Sequence, residues 1–191
     1  DIPTALADAD VVIDFSLPGP TEPALEFCAA AGLPLVIGKT GLEGQHFRAL
    51  DEAASRTAIV YAVNMSVGAT LMMSLAASAG RAMAGECEVG IVDVHHRNKK
   101  YAPSGTALAI GREIENARGS GASTVEYESI REGDTVGEHT VTFTGHGETV
   151  QLVHRATSRM TFAHGALQAA RWVVGRAPGL YGMADVIAES G

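Results

Sequence analysis

Short apolar runs alternate along this chain with longer stretches that are apolar on one side only. Residues 11–16, Val-Val-Ile-Asp-Phe-Ser, form a short apolar run closed by Leu17-Pro18-Gly19-Pro20, which reads as a buried strand and a turn. Residues 22–31 place Ala24, Leu25, Phe27 and Cys28 on one side of a helix that stops at Gly32. Further strands are expected over 33–38, 57–63 and 86–95, with helices over 42–55 and 67–83 between them. Strands and helices alternating at this spacing indicate a parallel sheet with right-handed crossovers.

The rhythm changes after a helix expected over 106–117. A Gly- and Ser-rich loop over 118–123 leads into three β-like runs, 125–131, 138–144 and 148–156. The last two alternate with period two, and Gly145-His146-Gly147 makes a hairpin between them. Val141, Phe143, Val150 and Leu152 would share one face, and the other is rich in Thr, Glu and Gln. An antiparallel sheet with one exposed face is expected. A last helix over 162–174 carries Trp172, the single tryptophan. The fold class is therefore α/β: an incomplete doubly wound parallel sheet over residues 1–92, and a second, α+β domain with a mixed or antiparallel sheet over 93–164. The helix and tail over 165–191 are expected to pack back on the first domain.

Composition narrows the partners. With 191 residues, 46% apolar and 19% charged, the chain can bury a real core and is not disordered. Fourteen basic residues against 22 acidic ones leave a net charge of −8. That argues against a nucleic-acid surface but leaves room for a local basic pocket. Cys28 and Cys87 show no CxxC or zinc spacing and read as buried free thiols of a reducing compartment. No apolar run reaches the ~18 residues of a membrane span, and no signal peptide opens the chain. A cytoplasmic protein without a membrane partner is expected. One element of a dinucleotide fold is missing: no Gly-x-Gly-x-x-Gly stands behind a first strand. That fingerprint is expected to lie upstream of residue 1.

Polar chemistry concentrates in residues 93–107. Val89-Gly90-Ile91-Val92 leads in as a strand, and Ala107-Leu108-Ala109-Ile110 opens a helix. Between them lie Asp93, His95, His96, Lys99 and Lys100, then Pro103-Ser104-Gly105-Thr106. The turn from strand to helix N-terminus is where open α/β sheets place ligands. Ser104 is a good helix N-cap, and Gly105 lets the backbone approach an anion held by the helix N-terminus. Asp93 could orient a histidine or be solvated, and His139, His146, His154 and His164 are scattered without a metal-ligand spacing. No metal is expected.

His95-His96-x-x-Lys99 followed by Ala102-Pro103-Ser104-Gly105-Thr106-Ala107 closely resembles the signature of the 4-hydroxy-tetrahydrodipicolinate reductase (dihydrodipicolinate reductase) family. The resemblance runs along the chain. It includes Val12-Ile13-Asp14-Phe15-Ser16, Val36-Ile37-Gly38-Lys39-Thr40-Gly41 and Ala62-Val63-Asn64-Met65-Ser66-Val67-Gly68. It continues through Arg131-Glu132-Gly133-Asp134, the stretch from Gly137 to Val141, and Ser158-Arg159-Met160-Thr161-Phe162-Ala163. It implies a Rossmann-type first domain and a second domain that binds substrate and assembles a homotetramer. It also implies reduction of 4-hydroxy-tetrahydrodipicolinate to tetrahydrodipicolinate by NADH or NADPH, in the diaminopimelate route to lysine.

On that resemblance His95 would donate a proton, as an imidazole titrating near neutral pH can. Lys99 would be a second acid or hold a substrate carboxylate. His96, Ser104, Gly105 and Thr106 would bind carboxylate. Phe15 and Ser16, Gly38, Lys39 and Thr40, and Ala62, Val63, Asn64 and Met65 follow three strands at their carboxyl ends and would line the nicotinamide site. Lys100 reads as a surface lysine and Arg159 as a salt-bridged one. The family usually has Asp at Tyr101, Glu at Asp93, Thr at Lys39 and Pro at Val63. Lys39 is expected to put a bulky cation into the loop facing the cofactor. With Tyr101 it supports an alternative, a non-catalytic or altered homologue binding a small dicarboxylate or nucleotide. A metal-dependent hydrolase built on His95 and His96 is a third possibility.

Overall fold

Three short apolar strands begin the fold: β1 (Val12–Asp14), β2 (Leu35–Ile37) and β3 (Ala58–Tyr61). In the computed structural model, which describes residues 4, 6, 8–83, 85, 87–119 and 124–189, they lie side by side and parallel. Every residue of β2 is buried, as a parallel strand covered on both faces requires. The connections are α1 (Thr21–Ala31) and α2 (Gly44–Ala54). Helix α1 ends at Gly32, whose positive φ of 64° suits glycine. One face of the sheet packs Leu35, Ile37 and Ile59 against Leu25 and Cys28 of α1 and Leu50 of α2.

The chain divides into two units, Asp1–Val67 with Phe162–Gly191, and Gly68–Thr161. The returning segment of the first unit holds most of α5 (Met160–Val173), then β8 (Gly179–Tyr181) and α6 (Met183–Ala188). β8 pairs parallel with β3, so the sheet order is β1-β2-β3-β8. On the second face of the sheet Val36 and Val60 meet Ala166, Ala169, Ala170 and Val173 of α5, with Met183 and Val186 of α6. The small residues of α5 permit close approach. At Gly165 the backbone comes so near the Met65 carbonyl that a β-carbon would collide with it.

The second unit begins with α3 (Val67–Ala82) and β4 (Glu88–His95), followed by α4 (Gly105–Arg118), β5 (Glu126–Arg131), β6 (Gly137–Gly145) and β7 (Glu148–Ala156). Its sheet order is β5-β4-β6-β7. β4 runs parallel to β5 and antiparallel to β6, and β6 and β7 form the antiparallel hairpin. The parallel pair needs a crossover, and α4 supplies it. The core joins Ile91, Val141 and Phe143 to Ile110 and Ile114 of α4 and Met72 and Ala76 of α3. Among the described residues no helix is long and apolar enough to cross a membrane.

The structure corrects the sequence-based division. β4 is not a fourth strand of the first sheet; it is central in the second, and the first unit ends at Val67 rather than residue 92. The return to the first unit begins at Phe162 rather than residue 165. The second sheet is mixed, one of the two forms expected. The physical reason lies in β4 itself. Val89, Ile91, Asp93 and His95 are buried while the residues between them are not, the period-two pattern of a sheet covered on one face. The expected loop residues 120–123 lie outside the described residues.

Candidate active site

In the second unit the inward stripe of β4 starts apolar, with Val89 and Ile91, and ends polar, with Asp93 and His95. The strand register sets their neighbours: Asp93 faces Ser129 on β5 and His139 on β6, and His95 faces Arg131. Asp93 is 0% exposed and gathers four donors. The Ser129 hydroxyl donates to Oδ2 at 2.5 Å and the Ser104 backbone N–H at 3.3 Å. Arg131 Nη1 donates to Oδ1 at 2.9 Å, and His95 Nδ1 lies 2.8 Å from the same oxygen. Burial pushes the Asp93 carboxyl up, but the hydrogen bonds from Ser129, Ser104 and Arg131, with the Arg131 charge, outweigh it and leave it below the usual carboxylate value.

Burial lowers the His95 pKa, and the Lys99 charge lowers it further against the opposing pull of Asp93. The ring is thus held near neutrality with Nδ1 turned to Asp93. On the opposite side, a β-carbon at Gly137 would stand 3.1 Å from Nε2, so glycine there leaves this nitrogen room. After His95 the chain turns: His96 N–H donates to the Thr135 carbonyl and Lys99 N–H to the His96 carbonyl. Lys99 is half-buried, and burial lowers its ammonium pKa, helped by the nearby Arg131 and Arg159 charges. A lysine so shifted gives up its proton more readily than a surface one. Arg159 Nη2 donates to His96 Nε2 at 3.4 Å, so these two side chains face each other.

Ser104 is 1% exposed, and its hydroxyl points inward. It accepts the Ala107 N–H at 3.1 Å as the N-cap of α4, and lies 3.1 Å from His139 Nε2. The side chain expected to bind carboxylate also shapes the helix start. Gly105 and Thr106 form the first turn of α4. Tyr101 is 80% exposed, and its carbonyl accepts a hydrogen bond from Arg131 Nη2 at 2.7 Å. The backbone, not the side chain, is used at this position.

Sequence reasoning missed Ser129, Arg131 and His139 as members of this cluster. For His139 the signal was present. It shares the inward parity of Val141 and Phe143 on β6, which removes it from the scattered histidines. Its ring lies edge-on to His95 at 5.3 Å and is stacked on His154 at 6.1 Å. Among the described residues no group of three or more His, Cys, Asp or Glu is arranged to hold a metal ion.

The first unit carries the second set of expected residues, at the carboxyl ends of β1, β2 and β3. Gly38 N–H bonds the Asp14 carbonyl and Ala62 N–H the Ile37 carbonyl, which ties the three strand ends together. Phe15 is 51% exposed, and its ring lies on Gly38, where a β-carbon would come within 2.5 Å of it. Ser16 and Thr40 are exposed, Ala62 and Val63 half-buried, and Met65 buried. Asn64 Oδ1 accepts the Ser66 N–H at 2.8 Å, just before α3.

Lys39 departs from expectation. It is 6% exposed and does not present its ammonium to the loop surface. Nζ lies 2.6 Å from Asp14 Oδ2, 2.9 Å from Thr21 Oγ1, 3.1 Å from Ser16 Oγ and 3.4 Å from the Leu17 carbonyl. The buried Asp14 carboxylate draws the ammonium inward, and the expected bulky cation facing the cofactor becomes an internal tie. Burial raises the Asp14 carboxyl, but the Lys39 and Ser16 hydrogen bonds bring it below its usual value.

Two family models divide the chain between them. The N-terminal part of dihydrodipicolinate reductase matches residues 1–65 and the C-terminal part residues 68–187. The chain belongs to the dihydrodipicolinate reductase family. The junction between the two models coincides with the division at Val67. Proteins named 4-hydroxy-tetrahydrodipicolinate reductase from Halorhodospira halophila and Alkalilimnicola ehrlichii are 46% and 45% identical over 204 aligned residues. In both, the match covers 98% of this chain and 76% of the relative. Among solved structures, a dipicolinate-bound dihydrodipicolinate reductase from Paenisporosarcina sp. TG-14 superposes with a TM-score of 0.80 at 23% identity, covering 97% of this chain and 77% of that one. GenD2 from gentamicin A biosynthesis, solved with NAD, shares the fold at a TM-score of 0.63 and 15% identity, over 98% of this chain and 76% of that one. As a dihydrodipicolinate reductase family member the chain is an NAD(P)H-dependent oxidoreductase, with a Rossmann-like first unit.

Proposed function

We propose that the chain reduces 4-hydroxy-tetrahydrodipicolinate to tetrahydrodipicolinate with NADH or NADPH, in the diaminopimelate route to lysine. In the net change a ring hydroxyl is replaced by hydrogen. The bound nicotinamide supplies the hydride, and the hydroxyl leaves as water once it has taken a proton. The observation that carries this reading is the buried Asp93–His95 pair beside Lys99. Asp93 holds Nδ1 and fixes the ring, so Nε2, with the room left by Gly137, is the nitrogen that takes up a proton and passes it on. Lys99, with its lowered pKa, is the second proton source.

His96, Lys99, Gly105 and Thr106 would hold the substrate carboxylates. Cations and the N-terminus of α4 suit a dicarboxylate. The name of the dipicolinate-bound relative supports this choice of ligand. For the cofactor, the ring of Phe15 on Gly38 gives a flat apolar surface at the sheet edge, and a β-carbon at position 38 would close it. Phe15, Ser16, Gly38, Thr40, Ala62, Val63, Asn64 and Met65 would line the nicotinamide, with Lys39 acting from behind through Asp14 and Ser16.

We also read the chain as a cytoplasmic homotetramer. Its two buried cysteines, neither in a disulfide, suit a reducing compartment. Among the described residues β7 is the edge strand beside β6 and exposes Val153, an edge that assembly would cover. The test is loss of the reduced-nicotinamide absorbance when folded protein meets cofactor and 4-hydroxy-tetrahydrodipicolinate. No loss above the rate without protein would sink the proposal.

A further inference from the structure

The buried parity of β6 reads His139, Val141, Phe143. Val141 and Phe143 belong to the apolar core. His139 points the same way and is as deeply buried, at 2% exposure, yet only one of its nitrogens has a partner. Nε2 lies 3.1 Å from Ser104 Oγ, and Nδ1 has none. A buried imidazole with an unpaired nitrogen is a poorer core residue than valine, so packing alone does not account for it.

Its surroundings do. Three contacts converge on Ser104. The hydroxyl caps α4 through Ala107 N–H, the backbone N–H reaches Asp93, and His139 holds the hydroxyl from the side. A hydroxyl engaged on two sides cannot rotate freely, so the start of α4 is held to β4 and to β6 at once. Across the β4–β6 ladder His139 stands directly opposite Asp93, and its ring lies edge-on to His95.

We infer that His139 is a positioning residue: by clamping Ser104 it fixes the first turn of α4 and the Asp93–His95 pair in the arrangement that receives the substrate. This rests on the reading that the turn at Gly105 and Thr106 takes a substrate carboxylate. Burial, followed by the neighbouring His95 and His154, brings the His139 pKa down to about 3. The clamp therefore adds no charge to compete with His95 for the proton.

The experiment compares His139→Leu, His139→Gln, Ser104→Ala and Val141→Ala in the full chain with cofactor. It measures kcat, KM for the substrate, calorimetric Kd for pyridine-2,6-dicarboxylate and thermal midpoint. His139→Leu is expected to raise KM and Kd about tenfold, the scale of one lost hydrogen bond, while kcat moves by less than about threefold. His139→Gln, whose amide can occupy the place of Nε2, restores most of the affinity. Val141→Ala lowers the thermal midpoint without moving KM.

Unchanged KM and Kd in His139→Leu would overturn the inference. So would an equal rise in Val141→Ala, since that would mark general loosening of the core. If His139→Leu does not fold, His139→Gln is compared with His139→Asn, whose shorter amide falls short of Ser104; equal affinities sink the clamp. Ser104→Ala separates the two readings. If it weakens binding and His139→Leu does not, only the role of His139 falls. If neither changes the Kd, the carboxylate reading of the turn falls with it.

Discussion

Each unit buries an aspartate, and the two are neutralised in different ways. Asp14 meets Lys39, a compact cation whose contacts all end on nearby oxygens of Asp14, Thr21, Ser16 and Leu17. Asp93 meets a spread of donors: Ser129, the Ser104 backbone, Arg131 and His95. In both cases hydrogen bonding overcomes burial and leaves the carboxyl below its ordinary value. The difference lies in what the partners have left. The Lys39 ammonium is consumed inside the loops and ties strand β2 to β1 and α1. His95 uses one nitrogen on Asp93 and has a second one, which the proposed function assigns to proton exchange. A buried carboxylate is a fastening when its partner ends there; on that proposal it is part of a proton path when the partner is a ring with two nitrogens.

The largest effect is expected at that second nitrogen. His95→Gln should lower kcat by roughly 10²–10⁴ while pyridine-2,6-dicarboxylate still binds, as steady-state rates and calorimetry would report. A drop below about tenfold would move the proton role elsewhere, with Lys99 the first candidate. Asp93→Asn comes next. It leaves Arg131 and His95 without their anion in a buried site, and should cost about 3–5 kcal/mol in urea unfolding, with a fall in kcat as well.

Lys39→Met sharpens the contrast from the other side. It strands Asp14 and should cost about 3 kcal/mol, with a smaller fall in kcat than Asp93→Asn gives. Adding Asp14→Asn should recover most of the stability, as a double-mutant cycle would measure. Were Lys39→Met to cost as much activity as Asp93→Asn, the two aspartates would not differ in kind.

The smallest effect is in the pH dependence of stability. His139 titrates at about 3 in the folded chain against 6.5 when unfolded. Between those values the unfolded chain binds the proton and the folded chain does not, so stability falls as the pH drops below the unfolded value. His139→Gln should remove about 1 kcal/mol of that fall over the first pH unit below the unfolded pKa. Asp14 and Asp93 act in the same direction further down. Their folded pKa values are depressed, so the stability they add is present above the ordinary carboxylate range and is lost as the pH falls through it. Denaturant unfolding at stepped pH reads both.

The strand and helix rhythm of residues 11–83 is legible in the sequence because each element there is locally marked. Leu35, Val36 and Ile37 form a run buried on both faces, and Gly32 stops α1. Residues 93–107 stand out as a site for the same reason: the strand end, the polar turn and the cap are contiguous. What is not legible depends on contacts distant in sequence. Val89-Gly90-Ile91-Val92 looks the same in either kind of sheet, and only the parity of Asp93 and His95 reveals the sheet to which β4 belongs. β8 has three residues, too few for any period. Nothing near Lys39 in sequence announces Asp14, and nothing near Ser104 announces His139; both pairs are side-chain contacts between residues 25 and 35 positions apart.

The place of β8 bears on how the chain folds as it is made. β3 receives its second neighbour only when Ala58 pairs with Gly179, residues more than half the chain apart. Until the later segment has left the ribosome, β3 presents a bare row of amides and carbonyls, and its apolar face lacks the cover of α5. Such long-range closure slows folding and leaves a sticky edge in the meantime. The first unit, although it starts to appear first, is therefore the last to be completed, and a nascent chain stalled within residues 68–161 would be a natural client for a chaperone.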